Sequence, residues 1–166
     1  MPTANLDRAG SGETLYTDLV ASLEALLEGE SDPLANLANA SALLAQALER
    51  INWCGFYLLR GSELVLGPFQ GKPACVRIPL GRGVCGAAAA RGETIVVPDV
   101  HAFEGHIVCD PASRAEIVVP LKAEGGPLLG VLDVDAPETG RFGPRDREGL
   151  ESFVRALIPR VDWSRL

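Results

Sequence analysis

Ala115-Glu116-Ile117-Val118-Val119-Pro120-Leu121-Lys122-Ala123-Glu124-Gly125-Gly126-Pro127-Leu128-Leu129-Gly130-Val131-Leu132-Asp133-Val134-Asp135 reads as two strands joined by a tight turn. Aliphatic and β-branched residues fill both arms, and Glu124-Gly125-Gly126 supplies the glycines that a short connection needs. Asp133 and Asp135 stand two apart on one strand, so both point to the same face of the sheet. Glu116 lies on the preceding strand, where a hairpin brings it beside them. A solvated strand end fits the same pattern. If the three carboxyls instead cluster, at least one must hold its proton near neutral pH and can then act as an acid.

On the N-terminal side, Thr94 to Pro98, Ala74 to Pro79, Glu63 to Pro68 and Ile51 to Leu59 read as further short strands with Gly-containing turns. Alanine-rich Gly83 to Arg91 predicts a short helix. Two amphipathic helices precede the strands. In the first, Leu15, Leu19, Leu23, Leu26 and Leu27 recur at helical spacing. The second opens with Asp32 at the N-cap and Pro33 at the first helical position, and runs to about Glu49. After the hairpin, Gly143-Pro144 opens a closing helix to Leu157. Most connections between strands are too short for parallel crossovers, so a largely antiparallel sheet of about six strands is expected. The terminal helices should cover one face, leaving the other for a ligand, in a single α+β domain over residues 13–166. Met1 to Gly12 reads as a flexible tail.

Bulk properties narrow the field. The 166 residues are 47% hydrophobic and 22% charged, which suits one globular domain. A net charge of -7 argues against nucleic-acid backbones and anionic membrane surfaces as partners. No apolar run reaches the roughly 18–20 residues of a membrane helix, and the first residues lack the pattern of a signal peptide. A cytoplasmic location is expected. There, four cysteines point to thiol chemistry or metal binding rather than to structural staples.

Cys54 falls inside an apolar strand and reads as a small buried hydrophobe. Cys109 sits in the long polar segment Asp99 to Arg114, beside His106, Asp110 and Ser113, where a core cysteine would gain nothing. Cys85 stands at the start of the small helix, where exposed N–H groups favour a thiolate, and Cys75 at the start of a strand. Zinc sites usually present a close C-x₂₋₄-C pair, and no two cysteines here are that near, so no metal is expected. His101 and His106 are compatible with a metal, a base or plain loop solvation, and solvation or local hydrogen bonding is the expectation. Aromatics are only 5% of the chain, yet Trp53, Phe56 and Tyr57 share one strand. Trp53 and Tyr57 project away from the Phe56 face, toward the ligand side; packing alone accounts for them equally well.

Several motifs together resemble the free methionine-(R)-sulfoxide reductases, a family of single GAF domains. They are Asn52-Trp53-Cys54-Gly55-Phe56-Tyr57, Leu66-Gly67-Pro68-Phe69-Gln70-Gly71, Pro73-Ala74-Cys75 and Gly81-Arg82-Gly83-Val84-Cys85-Gly86. Val97-Pro98-Asp99-Val100, Gly105-His106-Ile107-Val108-Cys109-Asp110 with Ser113, Glu116-Ile117-Val118-Val119-Pro120 and Gly130-Val131-Leu132-Asp133-Val134-Asp135 continue the match. The resemblance implies that Cys109 attacks the substrate and Cys75 resolves the product as a disulfide, with a role for Cys85 as well. It implies a substrate pocket walled by Glu116, Asp133, Asp135, Trp53 and Tyr57, no cofactor, and resetting by a dithiol protein such as thioredoxin. A homodimer is compatible with it. Two positions depart from the family: Cys54 stands where an apolar residue is usual, and Ala115 where serine is common, at the expense of a pocket hydrogen bond. The rival expectation is a GAF sensor that binds a small molecule or responds to redox state without turnover.

Overall fold

The computed structural model describes residues 14–107 and 109–166. The expected tail, Met1 to Gly12, lies outside them. Two helices come first, α1 (Leu15–Leu26) and α2 (Pro33–Ala47), followed by β1 (Trp53–Arg60), β2 (Glu63–Gly71) and β3 (Arg77–Pro79). Then come α3 (Gly83–Arg91), β4 (Ile95–Val97), β5 (Ala115–Lys122), β6 (Leu128–Ala136) and α4 (Pro144–Leu157). The six strands form one sheet in the order β3-β2-β1-β6-β5-β4, and every neighbouring pair is antiparallel. The expected α+β architecture is therefore present, with β1 and β6 at its centre.

Local chemistry explains the helix boundaries. Asp32 accepts a hydrogen bond from the Ala35 N–H at 2.9 Å, and Pro33 follows at a position whose missing N–H costs nothing. At α4, Asp146 accepts from the Gly143 N–H at 2.8 Å and from the Tyr16 hydroxyl at 2.7 Å. One carboxylate thus caps α4 and fastens α1 to it.

The pleat of β1 divides the interior. Cys54, Phe56 and Leu58 enter a core shared with Leu19, Leu23, Leu44, Leu150 and Phe153 from α1, α2 and α4. Trp53 and Tyr57 point to a second cluster on the opposite face, with Val84, Cys85 and Ala88 of α3. That face carries a pocket, but it is roofed rather than bare. The helix α3 and the segment between β4 and β5 cover it, because alanines and glycines let the short helix sit almost on the sheet. A Cβ added to Gly86 would stand 2.4 Å from the Pro79 carbonyl oxygen, so only glycine permits this approach.

The third strand is shorter than expected. It begins at Arg77, which leaves Cys75 in the loop before it. Ala115 is fully buried in the helix-side core, on the face opposite Glu116. Its departure from serine therefore removes nothing from the pocket.

Candidate active site

The carboxyl cluster is a direct product of strand register. Glu116 of β5 pairs with Asp135 of β6, and Val118 pairs with Asp133, so the three acids occupy neighbouring positions on one face. Trp53 and Gly55 of β1 pair with Asp135 and Asp133 from the other side. Above this floor, the first turn of α3 lowers Cys85 until its thiol donates to Glu116 Oε1 at 3.7 Å. A small pocket lies here, walled by Tyr57, Cys85, Cys109, Glu116, Asp133 and Asp135.

Cys75 and Cys109 are joined by a disulfide, with their Cα atoms 5.6 Å apart. The pairing ties the loop before β3 to the segment before β5. Several polar contacts hold that arrangement. The Asn52 side-chain amide donates to Ser113 Oγ at 3.0 Å and to Asp110 Oδ2 at 3.3 Å. Lys72 lies 3.5 Å from the same Asp110 oxygen, and the Ala112 N–H donates to Asp110 Oδ1. That backbone bond, with Lys72 and Asn52, holds the Asp110 carboxyl below its usual range. The Tyr57 hydroxyl donates to the Cys75 carbonyl oxygen at 3.0 Å.

Burial sets the electrostatics. Glu116, Asp133 and Asp135 all have pKa values raised well above the usual carboxyl range, first by loss of water and then by mutual repulsion. The clustered reading of the acids is thus the one the fold adopts. Cys85 behaves contrary to expectation. Its position on the first turn of α3 promised a stabilised thiolate, but it is only 4% exposed and faces carboxyls, so burial and then Asp133 and Glu116 push its pKa well up. Cys54, in the helix-side core, donates to the Ser41 carbonyl oxygen and is pushed up to about 12, mainly by burial. That matches its reading as a packing residue.

Trp53 lies on the pocket face but stacks on Phe69 and Tyr57, its indole N–H donating to the Lys72 carbonyl oxygen. It supports the pocket wall from behind rather than bordering the cavity. His106 corrects its solvated reading. Its side chain borders the pocket, with Nδ1 buried, 4.0 Å from Glu116 Oε2 and without a hydrogen-bond partner among the described residues. Burial lowers its pKa, with His101 adding to the effect. Sequence reasoning also missed Asn52 as the anchor of the Cys109 segment; only its place at the start of β1 hinted at it. One further grouping is present: Cys85, Glu116 and Asp133 each offer a ligand atom, all within 4.8 Å of one another.

The sequence profile of the GAF domain matches residues 22–158. Free methionine-R-sulfoxide reductase of Escherichia coli K12 is 55% identical over 142 residues, which cover 86% of each chain. This chain belongs to the free methionine-(R)-sulfoxide reductase family of GAF domains. Another member, from Saccharomyces cerevisiae, is 43% identical over 87% of this chain and 84% of its own. The crystal structure of the free methionine-R-sulfoxide reductase from Neisseria meningitidis in complex with its substrate superposes with a TM-score of 0.87. It shares 43% identity over 94% of this chain and 95% of that one.

Proposed function

We propose that the chain reduces free methionine-(R)-sulfoxide to methionine by a cycle of thiol oxidation. The observation that carries this reading is the Cys75–Cys109 bond at the edge of a pocket walled by proton-holding carboxyls. The substrate ammonium is drawn to the acids. Its sulfoxide sulfur is attacked by the Cys109 sulfur while Glu116 or Asp135, held protonated by its surroundings, donates to the sulfoxide oxygen. The new sulfur–sulfur bond and the substrate S–O bond then break as the protonated oxygen passes to the Cys109 sulfur, so methionine departs and Cys109 carries a sulfenic acid. Cys75 then condenses with it, forming the disulfide and releasing water. Two thiols are oxidised, and one sulfoxide is reduced to a thioether.

Carboxyls beside a thiol disfavour the thiolate that attacks. The same crowding keeps a proton ready for the leaving oxygen, and we take this acid assistance as dominant. The buried Cys85 thiol serves best as a hydrogen-bond donor to Glu116 in the pocket floor, and Tyr57 as its apolar wall with Trp53 stacked behind it. An external dithiol protein, thioredoxin in a cytoplasmic setting, resets the bond by exchange. Among the described residues no helix is long and apolar enough to cross a membrane.

A single-turnover experiment tests the reading. Reduced chain is mixed with one equivalent of methionine-(R)-sulfoxide without reductant, and products are followed by mass spectrometry. Methionine should appear together with one new disulfide between Cys75 and Cys109. Unchanged sulfoxide with intact thiols refutes catalysis and favours a binding module.

A further inference from the structure

Asp133 is 6% exposed, and its Oδ1 has no hydrogen-bond partner among the described residues. A buried acceptor left in this state costs free energy that a ligand would recover. Asp133 lines the pocket beside Cys85 and Glu116, and one oxygen of each carboxyl lies with Cys85 Sγ within 4.8 Å of one another. Cys85 Sγ and Glu116 Oε1 stand 3.7 Å apart. In a tetrahedral zinc shell, the usual bond lengths place sulfur and oxygen ligands about 3.3–3.8 Å from each other. The spacing therefore already fits a metal edge. His106 Nδ1, also unpartnered, borders the same space from the other Glu116 oxygen.

We propose that Cys85, Glu116 and Asp133 bind a thiophilic divalent cation, zinc or cadmium, which occupies the pocket in place of substrate. One sulfur with two carboxylates suits these ions, whereas magnesium and calcium prefer oxygen alone. His106 or water completes the shell. The absence of a paired-cysteine motif does not bear on this site, because its ligands come from α3, β5 and β6 rather than from one stretch of chain. Cation binding stands on the geometry alone; only its inhibitory consequence rests on the proposed reaction.

The test uses the full chain in its disulfide form, where the bond withdraws Cys75 and Cys109 as ligands. Titration with cadmium should give a thiolate-to-metal absorption in the ultraviolet that saturates at one equivalent. Zinc should abolish it by competition, and a hundredfold excess of magnesium should not. Cys54→Ser should leave the signal intact, and Cys85→Ser should remove it. Glu116→Gln and Asp133→Asn should weaken affinity at least tenfold. No absorption in the unaltered chain, or one that survives Cys85→Ser, overturns the site. Should Cys85→Ser fail to fold, undiminished affinity in both carboxamide variants overturns it instead. With reduced enzyme, zinc should raise the apparent KM for the sulfoxide while kcat holds, and a chelator should reverse this. A chain that binds cadmium but reduces no sulfoxide when metal-free supports the site and refutes the reaction. A chain that reduces sulfoxide but binds no cadmium refutes the site alone.

Discussion

In the proposed reaction Glu116 meets two demands: it must hold a proton near neutral pH, and it must lie where the sulfoxide oxygen is protonated. Glu116→Gln keeps the shape and removes the acid. Turnover should fall about 10²-fold or more, the usual scale for a positioned acid, while KM changes little. Steady-state methionine release at several pH values checks this, and an unchanged pH–rate profile would remove Glu116 from the mechanism. At Cys75 the expectation is different in kind. Cys75→Ser should still release one methionine per chain but stop at a sulfenic acid on Cys109, detectable as an added oxygen by intact mass. If a disulfide still formed at the normal rate, Cys85 would be the resolving thiol. The acids were legible in the sequence because two residues two apart on a strand must share a face. Cys85 was legible as a candidate from its place on the first turn of a helix, but its burial was not, since the depth of that helix leaves no mark in the sequence.

Among the elements, the hairpin of β5 and β6 announces itself through alternation and glycine, and its register then fixes where Glu116 meets Asp135. The helix α3 carries no such signal beyond its alanines, yet its seating delivers Cys85 to the pocket. Gly86→Ala places a methyl against the Pro79 carbonyl and should cost about 1–3 kcal/mol, the range for overpacking. Urea denaturation would measure the loss, and a variant as stable as the parent would mean that α3 has room to shift. The segment from Asp99 to Arg114 is held by scattered side-chain and backbone hydrogen bonds rather than by a continuous ladder, which is why periodicity could not place it. Asn52→Ala removes both amide bonds to that segment. Disulfide formation after oxidation should slow several-fold, read by thiol trapping over time, with the fold retained.

The whole molecule is pulled in opposite directions by its two polar centres. Burial alone would raise Asp146, but the Gly143 N–H, the Tyr16 hydroxyl and Arg141 outweigh it and hold its pKa below the usual 3.8. Its contribution to stability is present above that value and is lost as pH falls through the depressed one. The pocket acids have the reverse sign. Their folded pKa values are raised, so their contribution is full below the ordinary 3.8 to 4.5 and is lost as pH rises toward the raised values. With a chelator present, the unfolding midpoint should therefore drift downward from about pH 5 to pH 8. Asp133→Asn should flatten that drift, and Asp146→Asn should flatten only the acid side. A midpoint rising through neutrality would contradict the burial of these acids. The disulfide spans 34 residues of sequence and ties together two loops at one cavity. A latch in that place makes the proposed catalyst single-shot: each molecule must be unlocked before it admits another guest. Double-reciprocal plots at several reductant levels should accordingly run parallel. Under oxidant stress, the locked fraction is a running tally of sulfoxides consumed and not yet reset.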